Sequence, residues 1–315
     1  MWPKTAPKKF IIWGLEHYKH THSYIHYAFE KAAIKLGWDV EWVQDTPELG
    51  IYFNECDEYL FLTIGISDRY IPINPKAFYI LHNCEAEKYT SIPEKNKLII
   101  QVYTTDVDTR DVIKLPSRKY EFWQPNGNVF YMPWATDILP DEINQNIEKV
   151  KVLQIPNRNR KEALFLGTVN TETQFGNIDE ITKFEGGCKN MKVPLLIANS
   201  TSINQGQSIE LLQQVYITPS IVGTWQKRQG YIPCRIFKTI SYGQLGVTNS
   251  KQAYDIINNL GVYSEDESQL CSKAVEVLES ESGIEQIIDA MKLIRDHHTY
   301  INRLESIQFI FRLKQ

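Results

Sequence analysis

The sequence predicts an α/β protein made of two Rossmann-like β/α/β domains facing a central cleft. Three observations predict it. Apolar, strand-like runs alternate with amphipathic stretches from residue 9 onward, the alternation breaks in a polar segment near residues 145–160, and it then restarts. The chain of 315 residues is long enough for two domains. Its 43% apolar and 23% charged residues describe an ordinary globular protein.

In the first half, "KKFIIWGLEH" reads as a buried strand that ends in a polar loop. Ile25, Ala28, Phe29, Ala32, Ala33 and Leu36 then recur at helical spacing, giving a helix with one apolar face that Gly37 ends as a left-handed cap. "WDVEWV" alternates as a strand, so this opening is a βαβ unit whose crossover is expected to be right-handed. "EYLFLTIG", "AFYILHN" and "KLIIQVYT" are further strands, and "PWATDILPDEI" closes the half. The polar run "NIEKVKVLQIPNRNRKE" reads as the linker. The expected boundaries are therefore 1–150 for the first domain and 151–295 for the second, with residues 296–315 forming a helix that crosses back to the first.

The second half repeats the theme. "EALFLGTVN" is a strand ending in Gly-Thr, "NIDEITKFEGGCKNM" a helix and "VPLLIANS" a strand. "SIELLQQ" reads as a helical turn opened by a serine cap, and "VYITPSIVG" as another strand. "GYIPCRIFKTISYG" supplies the next helix, "LGVTNS" a short strand, and two helices finish the chain.

Composition excludes several classes. The formal net charge of -4 gives no global basic field, so no nucleic-acid partner is expected. The five cysteines are scattered and lack CxxC spacing, which points away from a disulfide framework or zinc site and toward a reducing, cytoplasmic compartment. The N-terminal run carries no cleavage pattern, and no stretch reaches the ~18 apolar residues of a membrane span.

The stretch "GYIPCRIFKTISYGQLGVTNS", Gly230 to Ser250, asks for a ligand. Pro233 suits the start of a helix, where a missing N–H costs nothing. Arg235 and Lys238 lie three apart and so share a face, while Ile236, Phe237 and Ile240 can face the sheet. A planar guanidinium and an ammonium at the start of a helix suit a diphosphate, although a solvated helix face fits the same spacing.

The order "LFLGT", "SIELLQQVYITPS", "PCRIFKTISYGQLGVTNS" and "YSEDESQLCSKAVEVL" resembles the donor-binding half of GT-B-type glycosyltransferases. "PWATDILP" and Gly230–Ser250 are most similar to a branch found in bacteria and large DNA viruses. The resemblance implies a glycosyltransferase with a nucleotide-sugar donor, a glycan or other hydroxyl acceptor, no bound cofactor and no metal. It also implies a donor set of Gly167, Thr168, Tyr231, Arg235, Ile236, Phe237, Lys238, Ser241 and Asn249. One departure stands out: many members carry a glutamate where this chain has Lys238, which cannot accept from a ribose hydroxyl and is expected to face phosphate instead.

The histidine-rich loop "EHYKHTHSYIH" holds the expected acceptor-side base, His22, with Glu16, His17 and Asp137 as alternates. His20-x-His22 also admits a metal reading, but no acidic or thiol partner stands at metal spacing. "HNCE" at His82–Glu85 and the Asp106-x-Asp108 pair are weaker candidates, and Trp134 is expected to pack the hinge. A two-lobed binding protein without catalysis and a sugar-nucleotide epimerase remain as alternatives on the same architecture.

Overall fold

The computed structural model describes residues 6–15, 21–65, 67–82, 86–107, 110–115, 118–153, 155–156, 159, 161–172, 174–199 and 204–315, with the backbone alone at 21–22, 118–119 and 153. Two compact units emerge. One holds the chain up to Pro133 together with Tyr300–Gln315, and the other holds Trp134–Thr299.

The first unit begins with β1 (Phe10–Trp13), α1 (Thr21–Lys35), β2 (Val40–Val43), α2 (Pro47–Tyr52), β3 (Leu60–Thr63), β4 (Phe78–His82) and β5 (Lys97–Gln101). β6 (Ile113–Leu115), β7 (Arg118–Gln124) and β8 (Val129–Tyr131) complete an eight-stranded sheet in the order β2-β1-β3-β4-β5-β8-β7-β6. All of its pairings are parallel except those of β7, which runs antiparallel to both of its neighbours, β8 and β6. β1, β3 and β4 are buried along their whole length, which is why they read as unbroken apolar runs. Gly37 follows α1 at φ +77°, the left-handed stop that its position predicts. The antiparallel β6–β8 meander is absent from the sequence reading. It turns at Pro125–Gly127, with Asn128 at φ +52°.

The second unit starts with α3 (Pro140–Leu153), then β9 (Ala163–Leu166), α4 (Ile178–Asn190), β10 (Leu195–Ala198) and α5 (Gln205–Gln213). It continues with β11 (Pro219–Ser220), α6 (Thr224–Arg228), α7 (Cys234–Ser241), β12 (Val247–Thr248), α8 (Lys251–Ile256) and β13 (Val262–Tyr263). α9 (Leu270–Glu279) and α10 (Gly283–His297) close it. β10 pairs with β9, and β11 with β12 and β13, all parallel; a parallel bridge from Ala163 to Ile217 brings β9 beside the chain entering β11. The resulting order, β10-β9-β11-β12-β13, reverses direction between β9 and β11.

In the first unit, α11 (Tyr300–Leu313) packs on α1, with the Tyr300 ring edge-on to Phe29 at 4.7 Å. Arg303 Nη1 sits 2.6 Å from Glu121 Oε1, Nε donates to the Pro133 carbonyl at 2.8 Å, and Ser306 donates to Glu121 Oε2. This buried pair has its remaining groups hydrogen-bonded, which is the condition for such a pair to be tolerated.

Three local expectations change. The division falls at Pro133/Trp134 and Thr299/Tyr300, whereas the sequence reading sets boundaries at 150 and 295. The "NIEKVKVL" half of the expected linker is the body of α3, because Ile143, Ile147 and Val150 form a buried stripe that packs on α10. Helix α5 starts three residues before Ser208: Asn204 is its cap, in a reciprocal box with Gln207. Among the described residues no helix is long and apolar enough to cross a membrane.

Candidate functional site

In an open parallel sheet the ligand crevice lies outside the carboxyl ends of the strands, where the strand order reverses. In the second unit that place is the gap between the ends of β9 and β11, and Arg235 bridges it. Its Nε donates to the carbonyl of Leu166, the last residue of β9, at 2.8 Å. Its Nη1 donates to the carbonyl of Ile221, the residue after β11, at 3.2 Å. The guanidinium also lies over the Phe165 ring, 4.3 Å from its centre.

Gly167 makes this placement feasible. A Cβ there would stand 2.1 Å from Arg235 Nη2, so any side chain would push the guanidinium away. An arginine carries five N–H donors. Two are bonded, and the rest have no partner among the described residues. No described carboxylate pairs with Arg235, and burial lowers its pKa from the usual range, although a guanidinium stays protonated at neutral pH. A half-buried cation with spare donors at the switch point has the chemistry that suits an anion. Thr168 is exposed next to Gly167, and Tyr231, two residues before the Pro233 cap of α7, is partly buried.

The rest of the expected donor set is used otherwise. Lys238 does not turn to a phosphate site: its Nζ stands 2.9 Å from Asp137 Oδ2, and Tyr242 donates its hydroxyl to Asp137 Oδ1. Ser241 is fully buried, 2.6 Å from the Thr136 hydroxyl, and donates to the Lys238 carbonyl at 2.8 Å. Ile236 and Phe237 are fully buried, and Phe237 stacks on His298 at 4.9 Å. These side chains belong to the core, because α7 presents nearly its whole circumference to protein.

Asn249 is fully occupied as well. Its Oδ1 accepts from the Val222 N–H at 3.0 Å, and its Nδ2 donates to the Val222 carbonyl and to Glu267 Oε1, both at 2.9 Å. Lys227 Nζ pairs with the same Glu267 oxygen at 2.9 Å. Burial would raise the pKa of Glu267, but the bonds from Asn249 and Lys227 outweigh it and hold the carboxyl below its usual value. Thr248 donates to the Ser220 carbonyl at 3.0 Å. The polar "TNS" thus straps β12 to the end of β11 and fixes the loop that holds Arg235.

In the first unit, Gly14 closes β1 at φ +74°, and a Cβ on it would lie 2.0 Å from the Ser67 carbonyl, so the chain after β3 passes tightly over this strand end. Glu16, His17 and His20 lie outside the described residues, as do Cys84, Glu85 and Asp108. His22 is in the first turn of α1, and its side chain is likewise outside them. His82 is buried at the end of β4, Asp106 is exposed in a short 3-10 turn, and Trp134 is buried at the start of the second unit. Asp137 drops out as an alternate base, because its carboxylate is buried and committed to Lys238 and Tyr242.

No family model and no curated relative matches the chain. Solved structures do match its fold. An α-glucosyltransferase in complex with UDP is 9% identical over 97% of this chain and 100% of its own, with a TM-score of 0.59. An α-glucosyltransferase in complex with UDP-glucose and DNA containing an abasic site is 8% identical over 97% and 99%, with a TM-score of 0.60. An O-GlcNAc transferase mutant from Thermobaculum terrenum is 8% identical over 98% of this chain and 68% of that one, with a TM-score of 0.51. The chain shares the GT-B fold of these glycosyltransferases. The expectation that excludes nucleic acid is corrected, because several neighbours of the same fold hold DNA. Net charge sums over a whole surface and does not report on one face of it.

Proposed function

We propose that this chain transfers a sugar from a nucleotide-sugar donor to a hydroxyl acceptor, with the diphosphate held at the β9/β11 switch point of the second unit. The observation that carries this reading is Arg235, clamped to two strand ends and still offering donors with no counter-charge of its own. The GT-B fold shared with structures that contain UDP or UDP-glucose supports it.

The acceptor oxygen attacks the anomeric carbon, and the bond from that carbon to the phosphate oxygen breaks. The electron pair leaves on the diphosphate, and Arg235 meets the charge that grows there. The reading assigns this task to the guanidinium and to no metal. The acceptor proton goes to a base, which we assign to His22 at the start of α1. Gly167 keeps room for the guanidinium, while Asn249 and Glu267 hold the Val222 segment in place.

Arg235→Ala is expected to weaken nucleoside diphosphate binding by about 1.5–3 kcal/mol, the scale of a hydrogen bond to a charged group. Titration calorimetry measures this, with circular dichroism showing that the sheet is intact and Arg235→Lys separating charge from fork geometry. Affinity unchanged in a folded Arg235→Ala protein would place the diphosphate elsewhere. Release of UDP from UDP-glucose together with labelled transfer separates a transferase from a binding protein or an epimerase.

A second reading concerns the acceptor. Neighbours of this fold are solved with 13-mer DNA, including DNA containing a HMU base. Transfer of labelled glucose to duplex DNA carrying that base, set against glycan acceptors, decides which hydroxyl is used.

A further inference from the structure

A cavity of about 260 Å³ opens between the loop after β9, the first turn of α4 and α6. Glu172, Asp179 and Glu180 line it with Gln174, Thr171 and the Trp225 indole. Glu172 and Asp179 are exposed, and surface carboxylates need no ligand. Glu180 is different. It is only 5% exposed, and its Oε1 accepts both the Thr224 N–H at 2.8 Å and the Thr224 hydroxyl at 2.6 Å. Its Oε2 meets no donor among the described residues, although the side chain faces the cavity. That oxygen opens on the cavity, where a ligand's hydroxyl can reach it.

The cavity adjoins the Arg235 site. A Cβ on Gly223 would lie 2.1 Å from the Gly176 carbonyl, so the two loops that form the cavity touch backbone to backbone. Ile221, whose carbonyl holds Arg235, precedes Thr224 by only three residues, which span roughly 11 Å at most. A ligand anchored by its phosphates at Arg235 can therefore place a neighbouring ring in this cavity.

The lining sorts what that ring can be. Three carboxylates repel a phosphate or an acidic ring. A ring bearing hydroxyls gives Glu180 Oε2 the donor it lacks, and its C–H face can lie on the Trp225 indole. We infer that the cavity holds an uncharged, hydroxyl-bearing sugar ring of the donor and, where that ring is the transferred sugar, discriminates against anionic sugars. This rests on the nucleotide-sugar reading. The ring is either the ribose or the transferred sugar, and the test distinguishes them.

The experiment is titration of wild type and Glu180→Gln with UDP, UDP-glucose and UDP-glucuronate. Glutamine keeps an oxygen for Thr224 and replaces the unmatched oxygen with an amide. With the transferred sugar in the cavity, wild type prefers UDP-glucose to UDP-glucuronate by about tenfold or more, Glu180→Gln brings the ratio toward one, and UDP affinity stays unchanged. With the ribose there, Glu180→Gln weakens all three ligands alike, by about tenfold. Trp225→Ala serves as a second variant should Glu180→Gln fold poorly: with the transferred sugar in the cavity it weakens UDP-glucose and leaves UDP unchanged, and with the ribose there it weakens all three ligands alike. Equal wild-type affinity for both sugars, with every ligand indifferent to both substitutions, overturns the inference. Absence of UDP binding by wild type defeats the nucleotide reading first, and this inference with it.

Discussion

Asp137→Ala is expected to destabilise the second unit by about 3–5 kcal/mol, the cost of breaking a buried ion pair by removing one partner. The substitution takes a counter-charge 2.9 Å away from Lys238 and leaves the fully buried Tyr242 hydroxyl without its acceptor. Burial at Tyr242 and the neighbouring Asp137 charge both push that phenol well above its usual pKa, so it remains a donor throughout. Denaturant unfolding at pH 7 measures the loss. The double variant Asp137→Ala/Lys238→Met is expected to recover part of it, since no ammonium is then left facing the gap. A loss below about 1 kcal/mol for the single change would mean that the pair contributes no more than a surface ion pair does.

The same pair sets a pH dependence. Burial raises the Asp137 pKa, but the Lys238 charge and the Tyr242 hydroxyl outweigh it and hold the carboxyl below its ordinary value. As pH falls, the unfolded chain therefore takes up this proton before the folded one does. The contribution is complete above the unfolded value of about 3.9 and drains as pH drops through the lower folded value. Wild type is expected to lose stability more steeply than Asp137→Asn below about pH 4, and equal slopes would remove Asp137 from the cause.

His22→Ala is expected to lower turnover by roughly 10²–10⁴-fold, the usual contribution of a general base, while leaving donor nucleotide affinity intact. The residue stands in the first turn of α1, the helix that follows β1 in the chain, and β1 ends at Gly14, which lies close to Ser67. β1 lies between β2 and β3, so this too is a point where strand order reverses. A histidine that only caps the helix would give the opposite pattern: lower melting temperature and preserved rate. Turnover within a few fold of wild type in a folded variant moves the base to Glu16 or His17. Asp137 is no longer an alternate, because its carboxylate is held down and bound on both oxygens.

The sequence by itself determined the strands and helices that are long or periodic. β1, β3 and β4 read as apolar runs because both of their faces are buried, and Gly37 and Gly243 mark helix ends through the left-handed φ they adopt. It also raised Arg235 and Gly167 as expected donor contacts, and folding sets these two against each other at the reversal of strand order. What periodicity supplies is the face of a helix on which a residue lies; it does not say what stands opposite. Lys238 and Arg235 share a spacing of three, yet one meets Asp137, about a hundred positions earlier in the chain, and the other meets the ends of β9 and β11. Asn249, Ser241 and the buried Glu180 were decided in the same way, by partners that lie far off in sequence. A polar side chain becomes a strap or a ligand contact according to whether folding brings it a matching donor or acceptor, and only the tertiary structure makes that pairing.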